Sequence, residues 1–253
     1  MSLPNIIHGS EDLTFAVRTS TTGQGATAIG AKMIVEDGRS YRFTHVGVGP
    51  TIVGHLWQAE LVDIAKLGDE TVGTVTQAQI TSGTTTFPSV GSTTDGYAAD
   101  VLKGGYVIID SAANLNPLYQ ISSNVAITAA ADGGSITVRN QLVDPIAAAE
   151  TISYVKSPWM DVIQCPAPLT AAPAGVPVAV IADEGFGWLQ TGGACRTLTT
   201  GTLVLGDAAV SSATTAGGFM PSAAQETDGP YLGLVMIVTG AAEYSGIFLN
   251  FDC

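Results

Sequence analysis

The sequence predicts an all-β protein, made of antiparallel sandwich or barrel modules with long loops and little helix. Its apolar residues come in short runs rich in Val, Ile, Thr and aromatics, separated by Gly, Asp, Asn and Pro. This pattern is typical of strands and turns. The apolar spacing of an amphipathic helix is almost absent. A chain of 253 residues is long enough to bury a substantial core in one or two such modules.

The N-terminal third contains three predicted strands, over residues 13–19, 32–36 and 41–48. Polar and apolar residues alternate in each of them, as expected for strands with one buried face. Asp37 and Gly38 lie between the second and third strands, and this dipeptide favours a tight hairpin turn. Residues 57–67 are compatible with one short helix or with a strand and a loop.

The middle of the chain predicts an antiparallel meander. Residues 71–87 are rich in Thr and Val with period-two character, and a Gly, Ser and Thr-rich loop follows over residues 88–96. Asp132, Gly133 and Gly134 supply a turn between the strands predicted over residues 125–129 and 135–141. Strands are predicted over residues 105–110, 118–123, 125–129, 135–141 and 160–164, and residues 147–155 lead to the last of them.

A proline-rich stretch at residues 166–177 is the best candidate for a linker, because prolines interleaved with Ala and Gly favour an extended segment outside a sheet. We therefore predict a β-domain over residues 1–165 and a small barrel or sandwich module over residues 178–253. Seven short strands are predicted here, over residues 177–182, 185–191, 195–199, 203–205, 208–211, 231–238 and 247–251.

Charge is scarce and unbalanced, with nine Lys and Arg, twenty-two Asp and Glu and a formal net charge of −13. Nucleic-acid binding is not expected, because phosphate contacts need clustered basic residues. After Arg196 the chain has no Lys or Arg, so this segment is expected to face solvent or a basic partner. Low charge density indicates a surface covered by other subunits. The competing interpretation is an ordinary soluble, Thr-rich β-protein.

No membrane association is predicted, because the apolar runs are much shorter than the roughly 20 residues of a membrane helix. Residues 1–11 lack a basic segment followed by an apolar run, so no signal peptide is expected. The three cysteines, Cys165, Cys195 and Cys253, have no metal-binding spacing, and their odd number favours reduced thiols in a protein made in the cytosol.

The sequence predicts no catalytic, cofactor-binding or metal-ligating residues and no cofactor. His8, His45 and His55 lack ligand spacing, and no nucleophile or phosphate-loop motif is present. Adjacent carboxylates fall at predicted turns, where such side chains commonly cap the backbone. These pairs are Glu11-Asp12, Glu36-Asp37, Asp69-Glu70 and Asp183-Glu184.

Three tryptophans, Trp57, Trp159 and Trp188, are candidates for an exposed sugar-binding platform. In an all-β chain, however, such residues more often anchor the core or a subunit contact. Two interpretations therefore stay open for the three tryptophans: a sugar-binding platform, or anchors of the core or of a subunit contact.

A series of short motifs provides a family resemblance over residues 97–251. It comprises KGGYVII at residues 103–109, YQISSN at 119–124, SPW at 157–159, GFGWLQTGG at 185–193, GDA at 206–208 and YLG at 231–233. In this order they resemble head structural and decoration (cement) proteins of tailed phages. The resemblance implies a virion protein on the outer capsid surface, bound to the major capsid protein and to itself as a homotrimer or homodimer. It implies no catalytic residue. The alternative interpretation is a receptor- or carbohydrate-binding β-module of a phage fibre.

Other interpretations fit the sequence less well. A major capsid protein of the common tailed-phage type would need a long spine helix, and no long amphipathic run is present. A secreted hydrolase lacks both a signal segment and a catalytic constellation. The N-terminal residues 1–12 are compatible with an arm that orders on a neighbour, or with a frayed terminus.

Overall fold

The computed structural model describes residues 6–10, 12–13, 27–60, 71–72, 80–90, 97–109, 115–127, 134–147, 150, 152–222, 230–240 and 243–251. The chain forms two compact units. Unit 1 combines Met1–Leu61 with Pro158–Cys253, and unit 2 is Val62–Ser157. The protein is nearly all β with two sheets rich in antiparallel pairs, which confirms the predicted fold class.

Seventeen strands are present among the described residues. The first part of unit 1 contributes β1 (Ile6–His8), β2 (Lys32–Ile34), β3 (Ser40–His45) and β4 (Trp57–Gln58). Unit 2 contributes β5 (Thr71–Val72), β6 (Thr86–Val90), β7 (Tyr106–Ile109), β8 (Tyr119–Asn124), β9 (Gly134–Val138) and β10 (Ile152–Val155). The second part of unit 1 adds β11 (Ile163–Gln164), β12 (Pro173–Pro177), β13 (Phe186–Leu198), β14 (Ala208–Ser211), β15 (Phe219–Pro221), β16 (Gly233–Ile237) and β17 (Tyr244–Asn250).

The large sheet of unit 1 has the order β1-β2-β3-β13-β17-β16-β14-β15, and β12, β4 and β11 extend from it through β13. The β2–β3 hairpin forms as predicted. Gly38 has φ +86°, and its N–H donates to the Val35 carbonyl over 3.0 Å. The predicted strand over residues 13–19 lies outside the described residues apart from Leu13. In the ambiguous stretch 57–67, Trp57 and Gln58 form β4, and residues 61–67 lie outside the described part.

Unit 2 contains the predicted meander. Strands β7, β8 and β9 are successive antiparallel neighbours, flanked by β10 and β6 in the order β5-β10-β7-β8-β9-β6. Val125 and Ile127 are not in a strand, although Ile127 makes an isolated bridge to Tyr97. Asp132 and Gly133 of the predicted turn, and residues 91–96 of the predicted loop, lie outside the described residues. Among the described residues of unit 2, one apolar cluster that includes Phe87 and Ile136 forms the core.

The structure joins two predicted strands into one. Residues 185–191 and 195–199 were expected to be separated by Gly192 and Gly193, but β13 runs through both glycines. Its first half pairs with β3 as far as Gly192, and its second half pairs with β17 from Gly192 onward. The register shifts between Gln190 and Gly192, and Gly193 has φ +81°. Glycine here lets the strand change partner without ending.

The segment 166–177 was predicted as a linker, and this prediction needs correction. Pro173–Pro177 forms β12, which pairs with β4 and with β13. The two prolines occupy the first and last positions of this strand, where a missing N–H is best tolerated. Ala174 and Val176 between them are fully buried. The low polarity of the segment therefore reflects core packing.

The division into domains also differs from the predicted boundaries at residues 165 and 178. Residues 158–253 return to the sheet started by residues 1–61, since β13 pairs with β3 and β11 pairs with β4. Unit 2 is thus inserted between β4 and β11 within unit 1. Sequence composition could not show this, because the pairings join residues more than one hundred positions apart.

The C-terminal strands agree in part with the prediction. Residues 208–211, 231–238 and 247–251 contain or overlap β14, β16 and β17. Residues 178–182 and 203–205 are not strands, and β15 was not predicted. Phe219, the first residue of β15, is fully buried and pairs with Ser211 of β14.

Candidate functional site

Four neighbouring strands of unit 1 present an apolar outer surface. Side chains alternate along β13, β17 and β16, and one set points into the core, including Cys195, Ile247 and Val235. The opposite set points outward. Across the strands Ala194 lies opposite Phe248, Phe248 opposite Leu234, and Leu234 opposite Ala208. An apolar row therefore crosses four strands on the outside of the sheet.

We define the outer apolar face by its outward-directed apolar residues, Ala194, Ala208, Leu234, Met236, Ile237 and Phe248. The four large side chains among them are between 43% and 60% exposed. An antiparallel sheet with one solvated face normally carries polar residues there. Contiguous exposed apolar patches mark sites of interaction. This surface is therefore the strongest candidate for a binding face.

A β-bulge increases the apolar content of the face. The register between β16 and β17 shifts between Val235 and Ile237, so that Met236 and Ile237 together oppose Gly246. Both side chains are exposed, where a regular strand would expose one of them. A groove of about 350 Å³ runs here between β13, β17 and β16, with Met236, Ile237 and Tyr244 among its lining residues.

One cation lies at the edge of the outer apolar face. Arg196 is exposed on β13, and its guanidinium carbon lies 3.8 Å from the centre of the Tyr244 ring. A guanidinium stacked in this way is held by cation–π attraction. No carboxylate within the described part of the chain forms an ion pair with Arg196. A charged partner side chain could therefore approach it.

Sequence reasoning missed this face, although a signal was present. Residues 231–238 were interpreted as one apolar strand too short to cross a membrane. A continuous apolar run in an antiparallel sheet also implies that both strand faces are covered, since a half-solvated strand alternates. Residues 234–238 form such a run, so the sequence implies that both faces of this strand are covered.

A second candidate site surrounds His45 at the end of β3. Its Nδ1 lies 2.6 Å from Asp161 Oδ1, and its Nε2 lies 3.7 Å from Glu184 Oε2. Phe186 packs against the ring with 4.6 Å between the centroids. Asp183, next to Glu184, accepts the Gly49 N–H over 2.6 Å. Carboxylates from two loops therefore converge on one imidazole. The sequence predicted only a backbone-capping role for the Asp183-Glu184 pair and did not predict this contact.

The backbone at this site is strained. Asp161 has φ +55° and Glu184 has φ +53°, in the left-handed region that non-glycine residues rarely adopt. Burial lowers the pKa of His45, but the hydrogen bond and charge of Asp161 and the charge of Glu184 outweigh it, so the pKa is raised overall. In the described part of the chain no hydroxyl or thiol hydrogen-bonds to His45. The interactions of His45 with Asp161 and Glu184 therefore tie the end of β3 to the two loops that carry these carboxylates.

The other histidines have different partners. His8 is exposed on β1. His55 precedes β4, with its Nδ1 3.0 Å from Gln164 Nε2 and its Nε2 3.5 Å from the Tyr244 hydroxyl. Burial lowers the pKa of His55. Among the described residues, no three His, Cys, Asp or Glu side chains converge in a way that could hold a metal ion.

The cysteines that the structure describes are free, buried thiols. Cys165 is 1% exposed and Cys195 is 6% exposed. Burial raises the pKa of each thiol to about 12, opposed for Cys165 by a backbone hydrogen bond from Gly217 and for Cys195 by the charge of Arg39. Cys253 lies outside the described residues. Thiols with such a high pKa are poor nucleophiles.

The tryptophans do not form an exposed platform. Trp57 is 1% exposed within the core, and Trp188 is 5% exposed and packs edge-on against Phe43. Trp159 is half-buried, with the Arg42 guanidinium 4.7 Å above its ring. Of the predicted carboxylate pairs, Glu36-Asp37 lies in the β2–β3 turn. Glu11 and the Asp69-Glu70 pair are outside the described residues.

Within the described residues, no helical segment has the length and apolar character needed to cross a bilayer. No protein-family model, curated protein or solved structure shows significant similarity to the chain.

Proposed function

We propose that this chain is a structural virion protein, a decoration or cement protein on the outside of a tailed-phage head. It binds the major capsid protein and other copies of itself, and it stabilises the contacts between capsomers. The single observation that carries this proposal is the outer apolar face. A surface of this kind on a folded β-protein supports a role in assembly, because isolated soluble domains rarely expose one.

The distribution of charge supports the same role. The segment from Thr197 to Cys253 contains five acidic residues and no Lys or Arg, and the whole chain carries a formal net charge of −13. Interface cores are depleted of charged residues. Among the described residues, Asp207 directly precedes β14 and Glu243 directly precedes β17, so two of these carboxylates adjoin strands of the outer apolar face. A shell surface with basic groups around an apolar contact would complement this pattern.

Cementing a shell requires many weak contacts acting together. When a protein with several binding surfaces engages neighbouring subunits, each later contact becomes intramolecular and the overall avidity rises steeply. A decoration protein therefore needs stable, exposed contact surfaces. The neighbouring strands β13, β17, β16 and β14 provide such a surface in unit 1.

Electron microscopy of virions with and without the protein tests the proposal. Purified protein added to undecorated heads is expected to give extra density on the outer surface and to sediment with the heads. Met236→Glu and Phe248→Glu are expected to reduce this binding strongly. Val48→Glu is the matched control, because Val48 is 74% exposed in unit 1 but lies outside these strands. The proposal fails if wild-type protein binds no head and virions lack it.

A further inference from the structure

We infer that the groove between β13, β17 and β16 binds a small amphipathic carboxylate, with the apolar chain over Gly246 and the carboxylate on Arg196. The inference goes beyond the proposed function and does not depend on it, because a free ligand would bind this groove in solution. It is carried by the hollow at Gly246, by the position of Arg196 and by the absence of another charge among the lining residues.

The hollow lies where one side chain is missing from the outer surface of the sheet. Arg196, Gly246 and Ile237 pair with one another in one row across the three strands. Directly opposed residues of antiparallel strands direct their side chains to the same face. The ends of this row carry large side chains, and its middle carries none. The groove of about 350 Å³ lies here, with Met236 and Tyr244 also among its lining residues.

The backbone does not require glycine at position 246. Gly246 does not adopt the left-handed conformation that favours glycine. A Cβ added there would lie 3.0 Å from three side-chain atoms of Ile237, so any larger residue would fill the groove or displace its wall. Glycine inside a strand commonly marks a bulge or a place where a ligand approaches the backbone closely. Here the bulge and the groove coincide, and glycine keeps the groove open.

The size and lining of the groove indicate a small, mainly apolar ligand. Its volume of about 350 Å³ is at the lower end of the roughly 300–1,000 Å³ found for small-molecule sites. Met236 and Ile237 form one wall, and their side chains are 45% and 60% exposed. Removing this apolar surface from water is favourable. A single aliphatic chain lying over Gly246 would cover both side chains.

Arg196 supplies the polar end of the site. Its guanidinium carbon lies 3.8 Å from the centre of the Tyr244 ring. That ring is itself held in place, because its hydroxyl lies 3.5 Å from His55 Nε2 and its Cε1 lies 2.7 Å from the position of a Cβ at Gly54. A guanidinium over a ring can still donate N–H groups from its edge, in the fork that matches the two oxygens of a carboxylate. Arg196 is therefore preorganised for such a ligand.

No carboxylate among the described residues competes for Arg196. Glu243, which precedes Tyr244, accepts the Gly240 N–H over 3.0 Å. Arg196 forms no ion pair in this part of the chain, and it is the one charged side chain that lines the groove. Salt screens charges that lie more than about 10 Å away, so the local cation outweighs the acidic net charge. A single cation balances the single charge of a carboxylate.

The experiment is an NMR titration of the full chain, labelled with ¹³C in its methionine methyl groups, with sodium decanoate. We expect a saturable shift of the Met236 methyl signal, which Met236→Leu assigns. The Met33 methyl signal should not move, because Met33 is fully buried in a different apolar cluster. Decanol is expected to bind about tenfold more weakly than decanoate, and decyltrimethylammonium more weakly still.

Two variants separate the contribution of the carboxylate from that of the chain. Arg196→Gln is expected to raise the decanoate dissociation constant about tenfold and to leave that of decanol nearly unchanged. Gly246→Ala is expected to raise both constants by roughly threefold or more, because the new methyl group occupies the hollow. Arg139→Gln is the matched control, since Arg139 is also exposed but lies in unit 2. Circular dichroism checks that each variant is folded.

The outcomes decide the inference separately from the proposed function. Decanoate that does not shift the Met236 methyl signal, or that binds no more tightly than decanol, overturns the inference. An unchanged preference for decanoate in Arg196→Gln also overturns it, and so does an equal shift at Met33, which marks binding spread over the protein. The Arg196→Gln result decides even where Gly246→Ala is unstable, because Arg196 is exposed. Head binding is measured without decanoate and decides the proposed function alone.

Discussion

The imidazole of His45 is hydrogen-bonded to Asp161 across 2.6 Å, although the two residues are 116 positions apart in sequence. His45 ends β3, and Asp161 lies just before β11, where Val162 bridges to Val46. The side chain of His45 is 11% exposed and that of Asp161 is 20% exposed, so solvent screens the pair weakly. The pair thus ties the end of one strand to the loop that re-enters unit 1.

This pair predicts a pH-dependent stability. The pKa of His45 in the folded protein is raised above its ordinary value of 6.5. The stability that protonated His45 contributes to the folded protein is therefore fully present below pH 6.5. It is lost as the pH rises through the raised pKa that His45 has in the folded state. Asp161→Asn is expected to cost about 1–3 kcal/mol in acid and less in alkali. Denaturant unfolding of both proteins at about pH 5.5 and about pH 8.5 measures the difference.

His55 provides a control with the opposite sign. Burial lowers the pKa of His55, so protonation favours the unfolded chain once the pH falls below 6.5. His55→Gln is expected to remove this acid-side penalty, and Asp161→Asn is expected to increase the loss of stability in acid. NMR titration of the imidazole protons should show a lower pKa for His45 in the Asp161→Asn protein. An unchanged His45 pKa would contradict the role assigned to Asp161.

Gly193 is predicted to be more sensitive to substitution than another glycine with the same backbone conformation. Gly193 has φ +81°, and an added Cβ would lie 2.9 Å from Arg39 Cγ and 3.0 Å from Arg39 Cα. Gly206 has φ +85° and no atom within 4 Å of such a Cβ. Gly206→Ala is expected to cost about 1–2 kcal/mol from the left-handed conformation alone. Gly193→Ala should cost more, because the Arg39 backbone must also move.

Thermal and denaturant unfolding of the two glycine variants test this prediction. A larger loss for Gly193→Ala supports the view that β13 changes partner at a point where only glycine fits. Equal losses would show that the strand relaxes around the new methyl group.

The buried thiols are predicted to be inert in the folded protein. At about pH 8, a thiol whose pKa is about 12 is ionised to roughly one part in ten thousand. We expect a Cys253→Ser variant, which removes the cysteine outside the described residues, to react with a thiol reagent only when it unfolds. Denaturant should then expose Cys165 and Cys195 together. Rapid labelling of one equivalent in the native state would contradict their burial.

Local chemistry determined which parts of the fold were predictable. The β2–β3 hairpin followed from Asp37-Gly38, and the meander of unit 2 followed from alternating runs separated by turns. Both depend on residues that are close in sequence. The continuity of β13 through Gly192 and Gly193 did not follow, because a glycine pair signals a turn unless partners on both sides are known. Those partners, β3 and β17, are distant in sequence.

The candidate sites show the same limit. The His45 and Asp161 pair requires the pairing of β3 with β13 and of β4 with β11, which no short pattern encodes. The outer apolar face was partly encoded, because the run at residues 234–238 does not alternate. The partners of that run, Phe248 and Ala194, became visible only with the register of β17 and β13.

The insertion of unit 2 into unit 1 leads to the last prediction. Gln58 of β4 pairs with Ile163 of β11 in an antiparallel ladder, and the chain leaves β4 and re-enters at β11 on the same side of this pair. A short loop can therefore join the two strands, as in a hairpin. The buried core residues of unit 1, such as Phe43, Trp57 and Leu189, all lie outside residues 62–157.

A chain in which a short Gly- and Ser-rich loop replaces residues 62–157 is expected to fold cooperatively. The entropic cost of closing a flexible loop grows with its length, so a shorter connection between these two adjacent strands has a slightly smaller closure cost. The near-ultraviolet circular dichroism of Trp57 and Trp188 should persist and disappear in a single thermal transition. The matched control replaces residues 166–177, the predicted linker that contains β12, with a similar loop. Because Val176 and Ala174 of β12 are buried, that chain should not fold, and if it folded as well as the first, the assignment of β12 to the core would be wrong.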